Sequence, residues 1–398
     1  MTDASAGGAR RALVVADSDS YLKWAVTRAA DLREGWDVEV VVVRNAVTPS
    51  PAQIASAVDG RLGEPPAVIG LDALAARLRA ERPDLLLLAC RGPLIELLLL
   101  DELGGERVAG VVATGIPGIW YPPTALGVSL RAGCDLLVVH SERERDAVAA
   151  MLPSGRLTDV GLASLLTPAE VGGAARPRVV FAPQALVPAT VAQRRELLDG
   201  LVETARRHPE LDVVVKLRGE AGEAQTHAEH APFDALASDV DVPGNLVFAR
   251  GPLREYLGEC VGFVTVSSTA ALEALDADVP VLILADFGVS ADVINAVFEG
   301  SGLFGDLADL ADLRFRRPDP AWLARNYFHA HDDWTEQVGR RLDRGAEAAG
   351  RVPDPLAGAR SFPRRVRRRL VALGAEDRTW AGRAALPLRP WLTRSRGA

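Results

Sequence analysis

Residues 264–281, VTVSSTAALEALDADVPV, contain the local pattern that decides the fold. An apolar run ends in three hydroxyl residues, Ser267, Ser268 and Thr269, which lead into a helical pattern and then into a second apolar run. Short apolar runs that alternate with helical patterns predict βαβ units and a parallel sheet. The stretch therefore predicts a strand, a helix that begins at the hydroxyl residues, and a second parallel strand.

The same alternation extends outward from this stretch in both directions. The pattern predicts strands at residues 11–16, 36–43, 85–89, 108–113, 134–140, 179–182, 211–217, 245–248, 261–266 and 279–284. It predicts helices at residues 21–33, 71–80, 190–208, 268–275, 291–299, 321–329 and 333–344. Such alternation is typical of an α/β fold in which ligands bind at the carboxyl ends of the strands.

A cluster of Pro and Gly at residues 166–178 separates two series of alternating strands and helices and is typical of a linker. We therefore expect two tandem Rossmann-like domains that face a cleft, at residues 11–170 and 171–345. Residues 1–10 are predicted to be a disordered start and residues 346–398 a basic tail. A length of 398 residues suits two domains.

The net charge of −8 is unevenly distributed along the chain. Residues 346–398 contain twelve Arg and only four acidic residues, so the remainder is strongly acidic. An acidic body argues against nucleic acid as a ligand, whereas the basic tail suggests an anionic partner. We expect a cytoplasmic protein whose tail either contacts an anionic membrane at the inner face or packs across the acidic body.

Two lysines, Lys23 and Lys216, occur in a chain that otherwise uses Arg for positive charge. Lys216 ends a predicted strand and Arg218 follows two residues later, with His227 beyond it. A compact ammonium group and a guanidinium group can neutralise a leaving phosphate, and an imidazole can bond to it. Together with the hydroxyls of Ser267, Ser268 and Thr269, these residues form a candidate donor site, although Ser and Thr are also ordinary helix caps.

Glu273 follows the hydroxyl residues by one helical turn and is a candidate for binding a ribose diol, as acidic residues do in other doubly wound nucleotide sites. The segment around it, with Val279-Pro280-Val281 after the helix, resembles the donor-binding segment of GT-B glycosyltransferases. The stretch from Val215 to Glu220 also resembles bacterial capsule, sialic-acid and KDO transferases and glycerophosphotransferases. Those families have Lys-x-His-Pro there, whereas this chain has Arg218 and Gly219 in place of the His and Pro.

The resemblance implies that residues 11–170 form the acceptor-side domain and residues 171–345 the donor-side domain. On the acceptor side, Asp17, Ser18, Asp19 and Lys23 follow the first predicted strand. An inverting transferase needs a base for the acceptor hydroxyl, so Asp17 and Asp19 are the catalytic candidates, with Asp17 preferred because it is closer to the strand end. The alternative is that Ser18 or Asp19 caps the next helix. Other acceptor-side candidates follow strands elsewhere in the chain: Arg91, Trp120, Tyr121 and Gln184.

The resemblance, together with these candidate residues, implies a metal-independent, inverting glycosyltransferase without a cofactor. The resemblance implies a nucleotide sugar, CMP-linked in the related families, as donor and a glycan or lipid-linked acceptor in surface glycan synthesis. Two alternatives remain open at this point, a sugar-nucleotide 2-epimerase and a non-catalytic nucleotide-binding scaffold. The chain has no GxGxxG motif, which disfavours a dinucleotide-dependent dehydrogenase, and no CxxC or HxxxH motif, which disfavours a structural zinc site.

Overall fold

The computed structural model describes residues 9–32, 35–58, 60–152, 158–166, 171–173, 175–217, 231–344, 362–377 and 387. The chain forms two compact units. Unit 1 comprises Met1–His140, Glu144–Ala163 and His331–Ala398, and unit 2 comprises Ser141–Arg143 and Ser164–Ala330. The chain therefore begins in unit 1, passes through unit 2 and returns to unit 1.

Unit 1 is built on a seven-stranded parallel sheet. Its strands are β1 (Arg10–Ala16), β2 (Trp36–Val43), β3 (Ala67–Ile69), β4 (Leu85–Ala89), β5 (Val111–Gly115), β6 (Leu136–Val139) and β7 (Asp159–Leu162). They lie in the order β3-β2-β1-β4-β5-β6-β7. The helices are α1 (Asp19–Asp31), α2 (Pro51–Val58), α3 (Leu71–Glu81), α4 (Gly92–Glu96), α5 (Ala125–Ser129) and α6 (Glu142–Met151), and a π-helical segment at Leu97–Glu102 continues α4.

The central strands of unit 1 are apolar on both faces. In β1, Val14 packs into the core on one face of the sheet, whereas Leu13 and Val15 pack into the core on the other face. Because helices cover both faces of such a sheet, the sequences of its strands are continuous runs of Val and Leu without alternating polar residues. This burial explains why apolar runs predict the five inner strands but not the edge strands β3 and β7.

Unit 2 contains a six-stranded parallel sheet. Its strands are β8 (Arg178–Phe181), β9 (Asp212–Lys216), β10 (Leu246–Ala249), β11 (Cys260–Thr265), β12 (Val281–Leu284) and β13 (Phe304–Gly305), in the order β10-β9-β8-β11-β12-β13. Its helices are α7 (Val191–Arg207), α8 (Phe233–Leu236), α9 (Ala270–Asp276), α10 (Leu307–Ala311) and α11 (Pro320–Arg325). The prediction of two Rossmann-like parallel sheets is confirmed.

One predicted helix, at residues 291–299, is wrong. The structure has turns there and a short 3₁₀ helix at Ala296–Phe298. Ile294 adopts a left-handed backbone with φ 61°, and a β-branched residue in that region interrupts a right-handed helix. Asn295, which is fully buried, donates to the carbonyl of Gly288 and accepts from the amide of Ser290, so its side chain holds the preceding turn. Within the segment, the amides of Ile294, Phe298 and Glu299 make i, i+3 turn bonds.

The last two helices, α12 (Trp334–Asp343) and α13 (Phe362–Leu373), belong to unit 1. From the sequence we expected residues 334–343 in the C-terminal domain. In the structure, buried Trp334 and Val338 instead join the core cluster of the first sheet. The indole of Trp334 also donates to Asp31 of α1 over 3.0 Å.

Helix α13 pairs two of the arginines of the basic tail with the body of unit 1. Arg368 and Arg369 face acidic residues of unit 1 rather than solvent, and their ion pairs involve Asp101 and Glu102. This arrangement agrees with a helix packed across the acidic body. None of the helices within the described residues is long and apolar enough to cross a membrane.

Candidate functional site

The strand order of the first sheet reverses between β1 and β4, which are hydrogen-bonded neighbours. In open α/β sheets, ligands bind at the carboxyl ends of strands beside such a reversal. Asp17 directly follows β1, and Arg91 follows β4 after one intervening residue. The fold therefore brings together two of the sequence-predicted candidates that are 74 residues apart in the chain.

Asp17, Asn45 and Arg91 form a hydrogen-bonded group that we call the Asp17 cluster. Oδ2 of Asp17 accepts from Nε of Arg91 over 2.8 Å and from the Arg91 amide over 3.2 Å. Nη2 of Arg91 donates to Oδ1 of Asn45 over 2.9 Å, and Nδ2 of Asn45 donates to the Asp17 carbonyl over 2.6 Å. The cluster therefore joins the carboxyl ends of three neighbouring strands, β2, β1 and β4.

The carboxyl group of Asp17 is completely buried. Burial raises the pKa of Asp17 above its ordinary value, although the Arg91 guanidinium opposes this effect. Its Oδ1 atom has no hydrogen-bond partner within the described part of the chain, and the same holds for the buried hydroxyl of Ser18. Ser18 precedes α1 but makes no capping bond with its side chain, so the edge of the sheet contains polar atoms that are available to a ligand or to water.

Asp19 and Lys23 lie on the first turns of α1 and are more accessible. Nζ of Lys23 donates to Oδ2 of Asp19 over 2.8 Å, and the side chains are 51% and 28% exposed, respectively. An i, i+4 pair of this kind on a helix surface contributes little to stability. Of the two carboxylates, Asp17 and Asp19, Asp19 therefore needs the smaller rearrangement to reach a bound molecule.

Trp120 and Tyr121 are half-buried in the loop that follows β5. Glu144, which is fully buried, fixes this loop by accepting from the amide of Trp120 over 2.7 Å and from the amide of His140 over 2.9 Å. The guanidinium carbon of Arg131 lies 5.7 Å from the ring centre of Trp120. These contacts position one aromatic face beside the carboxyl edge of the sheet.

Arg131 and Glu144 were not predicted from the sequence. Arg131 is 4% exposed, and its Nη2 atom donates to the hydroxyl of Tyr21 over 2.8 Å. Glu144 precedes the buried Val148 by four residues, so its place on the inward face of α6 could have indicated a buried carboxylate. For Arg131, no comparable periodic signal exists.

In unit 2, the strand order reverses between β8 and β11. Thr265, the last residue of β11, donates from its hydroxyl to the Ala182 carbonyl over 2.7 Å and accepts from the amide of Ser268 over 3.1 Å. Ser268 in turn accepts from the amide of Ala270 over 3.2 Å. The hydroxyl of Ser268 therefore serves a local capping role, as the alternative interpretation of these residues expected.

Ser267 and Thr269 differ from Ser268. The Ser267 hydroxyl is buried and has no hydrogen-bond partner among the described residues. Thr269 is exposed and makes no capping bond with its side chain. A buried, unpaired hydroxyl beside a strand reversal is the feature of unit 2 that most directly indicates a missing polar partner.

Glu273 lies on α9 within electrostatic range of Lys216 and Arg254. More than a third of the Glu273 surface is exposed, but partial desolvation of its carboxyl group raises its pKa, and the two cations oppose this shift. Lys216 ends β9, next to β8 in the sheet. The structure thus brings together Lys216 and Glu273, two of the predicted donor-side residues.

Gln184 lies in the loop after β8, and its side-chain oxygen accepts from the amides of Leu186 and Val187. Arg194, which was not predicted from the sequence, holds the same loop from α7. Its guanidinium group is buried and donates to the carbonyls of Gln184, Ala185 and Pro188. Arg194 shares a helix face with the buried Leu197 and Leu198, and that periodicity could have indicated a buried arginine.

Two of the donor-side predictions, Arg218 and His227, lie outside the described residues. No group of three or more His, Cys, Asp or Glu side chains in the described ranges could hold a metal ion.

Comparison with known proteins gives a family and a set of structural neighbours. A family model described as "Putative glycosyltransferase (DUF6716)" matches residues 12–341. The UDP-GlcNAc 2-epimerase of Methanocaldococcus jannaschii is 11% identical, with a TM-score of 0.55 over 84% of this chain and 100% of that one. A structure of MnaA from S. aureus with UDP is 10% identical, with a TM-score of 0.52 over 84% of this chain and 90% of that one. No curated protein matches the chain in sequence.

Proposed function

The chain belongs to the glycosyltransferase family DUF6716, and from this premise we propose that it transfers a sugar from a nucleotide donor to a hydroxyl acceptor. Unit 2 is proposed to bind the donor, and the carboxyl edge of the first sheet is proposed to bind the acceptor. The buried, unpaired hydroxyl of Ser267 at the strand reversal of unit 2 carries the assignment of the donor site.

The donor site combines groups suited to a nucleotide. Lys216 supplies positive charge at the end of β9 for the phosphates. The hydroxyls of Ser267 and Thr269 supply hydrogen bonds, and the carboxylate of Glu273 accepts from the ribose hydroxyls. We include Arg218 and His227 in the proposed phosphate site because they follow Lys216 in sequence.

On the acceptor side, we propose Asp19 as the base and Asp17 as the residue that holds the loop. Asp17 is buried against Arg91, whereas Asp19 is accessible on the first turn of α1. A base must come within hydrogen-bond distance of the acceptor hydroxyl. Trp120 and Tyr121 offer aromatic faces to an acceptor sugar, and a glycan or lipid-linked acceptor in surface glycan synthesis suits this arrangement.

Both UDP and CMP donors belong in the first test. The resemblance of residues 215–220 favours a CMP-linked sugar, whereas the S. aureus neighbour contains UDP. We propose an inverting and metal-independent reaction, because a base and a cationic phosphate site supply the groups that such a displacement needs.

A 2-epimerase is the second candidate, since the M. jannaschii neighbour with this name shares the fold. An epimerase would isomerise the donor when no acceptor is present, and a scaffold would bind a nucleotide without turnover. NMR of the purified protein with UDP-GlcNAc alone separates these outcomes: a new sugar isomer identifies an epimerase.

The deciding experiment is thermal-shift binding of CMP, CDP, UDP, GDP and ADP to the wild type and to Ser267→Ala and Lys216→Ala. A ligand that binds only the folded state raises the melting temperature. We expect one nucleotide to produce a shift that both variants reduce. Arg206→Ala is the matched control, because Arg206 is an exposed cation of α7. The proposal is overturned if no nucleotide shifts the wild type, or if both variants respond like the control.

A further inference from the structure

Helix α13 is anchored to the rest of unit 1 by one buried and one partly buried arginine, Arg368 and Arg369. Arg368 donates to both carboxylate oxygens of Asp101, over 2.9 and 2.7 Å, and the two side chains are only 10% and 3% exposed. Asp101 belongs to the π-helical segment after α4. A two-bond contact between a guanidinium group and a carboxylate fixes orientation as well as distance.

Arg369 makes a second set of contacts. It donates to both oxygens of Asp377, over 3.0 and 3.1 Å, and it also pairs with Glu102 of the π-helical segment. Leu370, Ala372 and Leu373 are buried at the same end of the helix. The carboxyl-terminal turn of α13 is therefore held both by apolar packing and by paired charges.

This turn reaches the Asp17 cluster. Nη2 of Arg91 donates to the Ala372 carbonyl over 3.1 Å. The same guanidinium group also binds Asp17 through Nε and Asn45 through Nη2. Carbonyl groups at the end of a helix carry partial negative charge and attract a cation. Arg91 is therefore held on one side by the ends of β1 and β2 and on the other by α13.

We propose that α13 is a positioning element that holds Arg91 against Asp17 and Asn45, with Arg368 and Arg369 as its anchors. The arginine-rich segment that suggests an anionic partner in the sequence thus directs at least two of its charges into its own protein. By this inference, the carboxyl edge of the first sheet is complete only when a helix more than 270 residues away in sequence is docked.

Hydrogen–deuterium exchange of the full-length protein tests the positioning without any substrate. The variant is Arg368→Gln/Arg369→Gln, and the control is Arg367→Gln on the exposed face of the same helix. The amide of Arg91 bonds to Asp17, so we expect its exchange to become roughly tenfold faster in the double variant and to stay unchanged in the control. Faster exchange confined to α13 would overturn the proposal.

A second experiment tests the proposal from the other side of the contact and does not require the double variant to fold. Arg91→Lys keeps the charge and the amide but lacks the planar fork that reaches Asn45 and Ala372. We expect faster exchange in the last turn of α13, and unchanged exchange there would overturn the proposal. Because neither measurement uses a donor, failure of the positioning role is distinguishable from failure of the proposed transferase activity, which nucleotide binding tests separately.

Discussion

Nε of Arg91 donates to Oδ2 of Asp17 over 2.8 Å at the point where the strand order of the first sheet reverses. The pair joins two loops that follow neighbouring strands, and one of its two members has no exposed surface. Removing one partner of a buried ion pair leaves an uncompensated charge. The integrity of this edge therefore depends on both residues together.

Arg91→Leu should lower the free energy of unfolding of unit 1 by about 3 kcal/mol, because the Asp17 carboxylate would then be buried without its cation. Urea unfolding monitored by tryptophan fluorescence measures the loss. Lys23→Leu is the control, since it breaks an exposed pair whose contribution is about 0.5 kcal/mol. Equal losses in the two variants would show that the Asp17 pair has no special role in stability.

Asp19→Asn should reduce donor turnover by roughly a hundredfold or more without changing nucleotide affinity, because a general base contributes to the reaction and not to donor binding. The measurement combines the rate of nucleotide release with a binding titration. Asp17→Asn should also lower the melting temperature, whereas Asp19→Asn should not. If Asp19→Asn retains full turnover, Asp19 is not the base.

Lys216→Ala should weaken nucleotide binding by about tenfold or more, since hydrogen bonds to charged groups contribute about 1.5–3 kcal/mol. Lys216→Arg should recover part of the affinity, because the charge remains while its shape changes. Isothermal titration calorimetry gives both values. Equal affinity in the wild type and Lys216→Ala would remove Lys216 from the donor site.

The pH dependence of nucleotide binding should report on Glu273. Its pKa is raised above the ordinary value of 4.5, so its proton is lost at a higher pH than usual. Only the ionised carboxylate accepts hydrogen bonds at both oxygens. Affinity should therefore rise as the pH rises through this pKa and fall below it. Glu273→Gln removes the part of the pH dependence that comes from Glu273, whereas the nucleotide phosphate still titrates. The difference in pH dependence between the wild type and this variant therefore gives the contribution of Glu273.

Trp334→Ala should destabilise unit 1 by about 3–5 kcal/mol, as is typical when a buried Trp is truncated. Trp334 is 1% exposed and donates to Asp31. Trp334→Phe should lose less, because it keeps most of the apolar volume. Thermal or urea unfolding of the full chain measures both variants, and an unchanged stability of Trp334→Ala would contradict the role of α12 in the core of unit 1.

The sequence predicts the sheets well because their central strands are buried on both faces. Runs such as residues 85–89 have no polar interruption, so the pattern is unambiguous. The sequence predicts Asp17 and Arg91 as two separate candidates in loops. It does not predict their contact, because that contact depends on the order of the strands in the sheet. The contact of Arg91 with Ala372 could not be predicted, since no periodicity links residues so far apart in sequence.

The helical signal at residues 291–299 failed because the backbone there forms i, i+3 turns instead of continuous i, i+4 hydrogen bonds. Residues 291–299 have a composition that suits a helix, yet Asn295 bonds to the backbone of Gly288 and Ser290. Buried charges were also missed, although Arg194 and Glu144 lie at positions that the helical period turns inward. The helical spacing of Arg194 and Glu144 from buried apolar residues would have indicated that both are buried. The burial of Arg131 depends on tertiary structure alone.

The return of the chain from unit 2 to unit 1 has a consequence for biosynthesis. Trp334 and Val338 belong to the core cluster of the first sheet, on a helix that packs against β5, β6 and β7, yet the ribosome makes them after all of unit 2. During translation, unit 2 can bury its own core before α12 and α13, the last helices of unit 1, have been synthesised. A nascent chain that stops before residue 334 would leave part of the apolar surface of the first sheet open to chaperones or to aggregation.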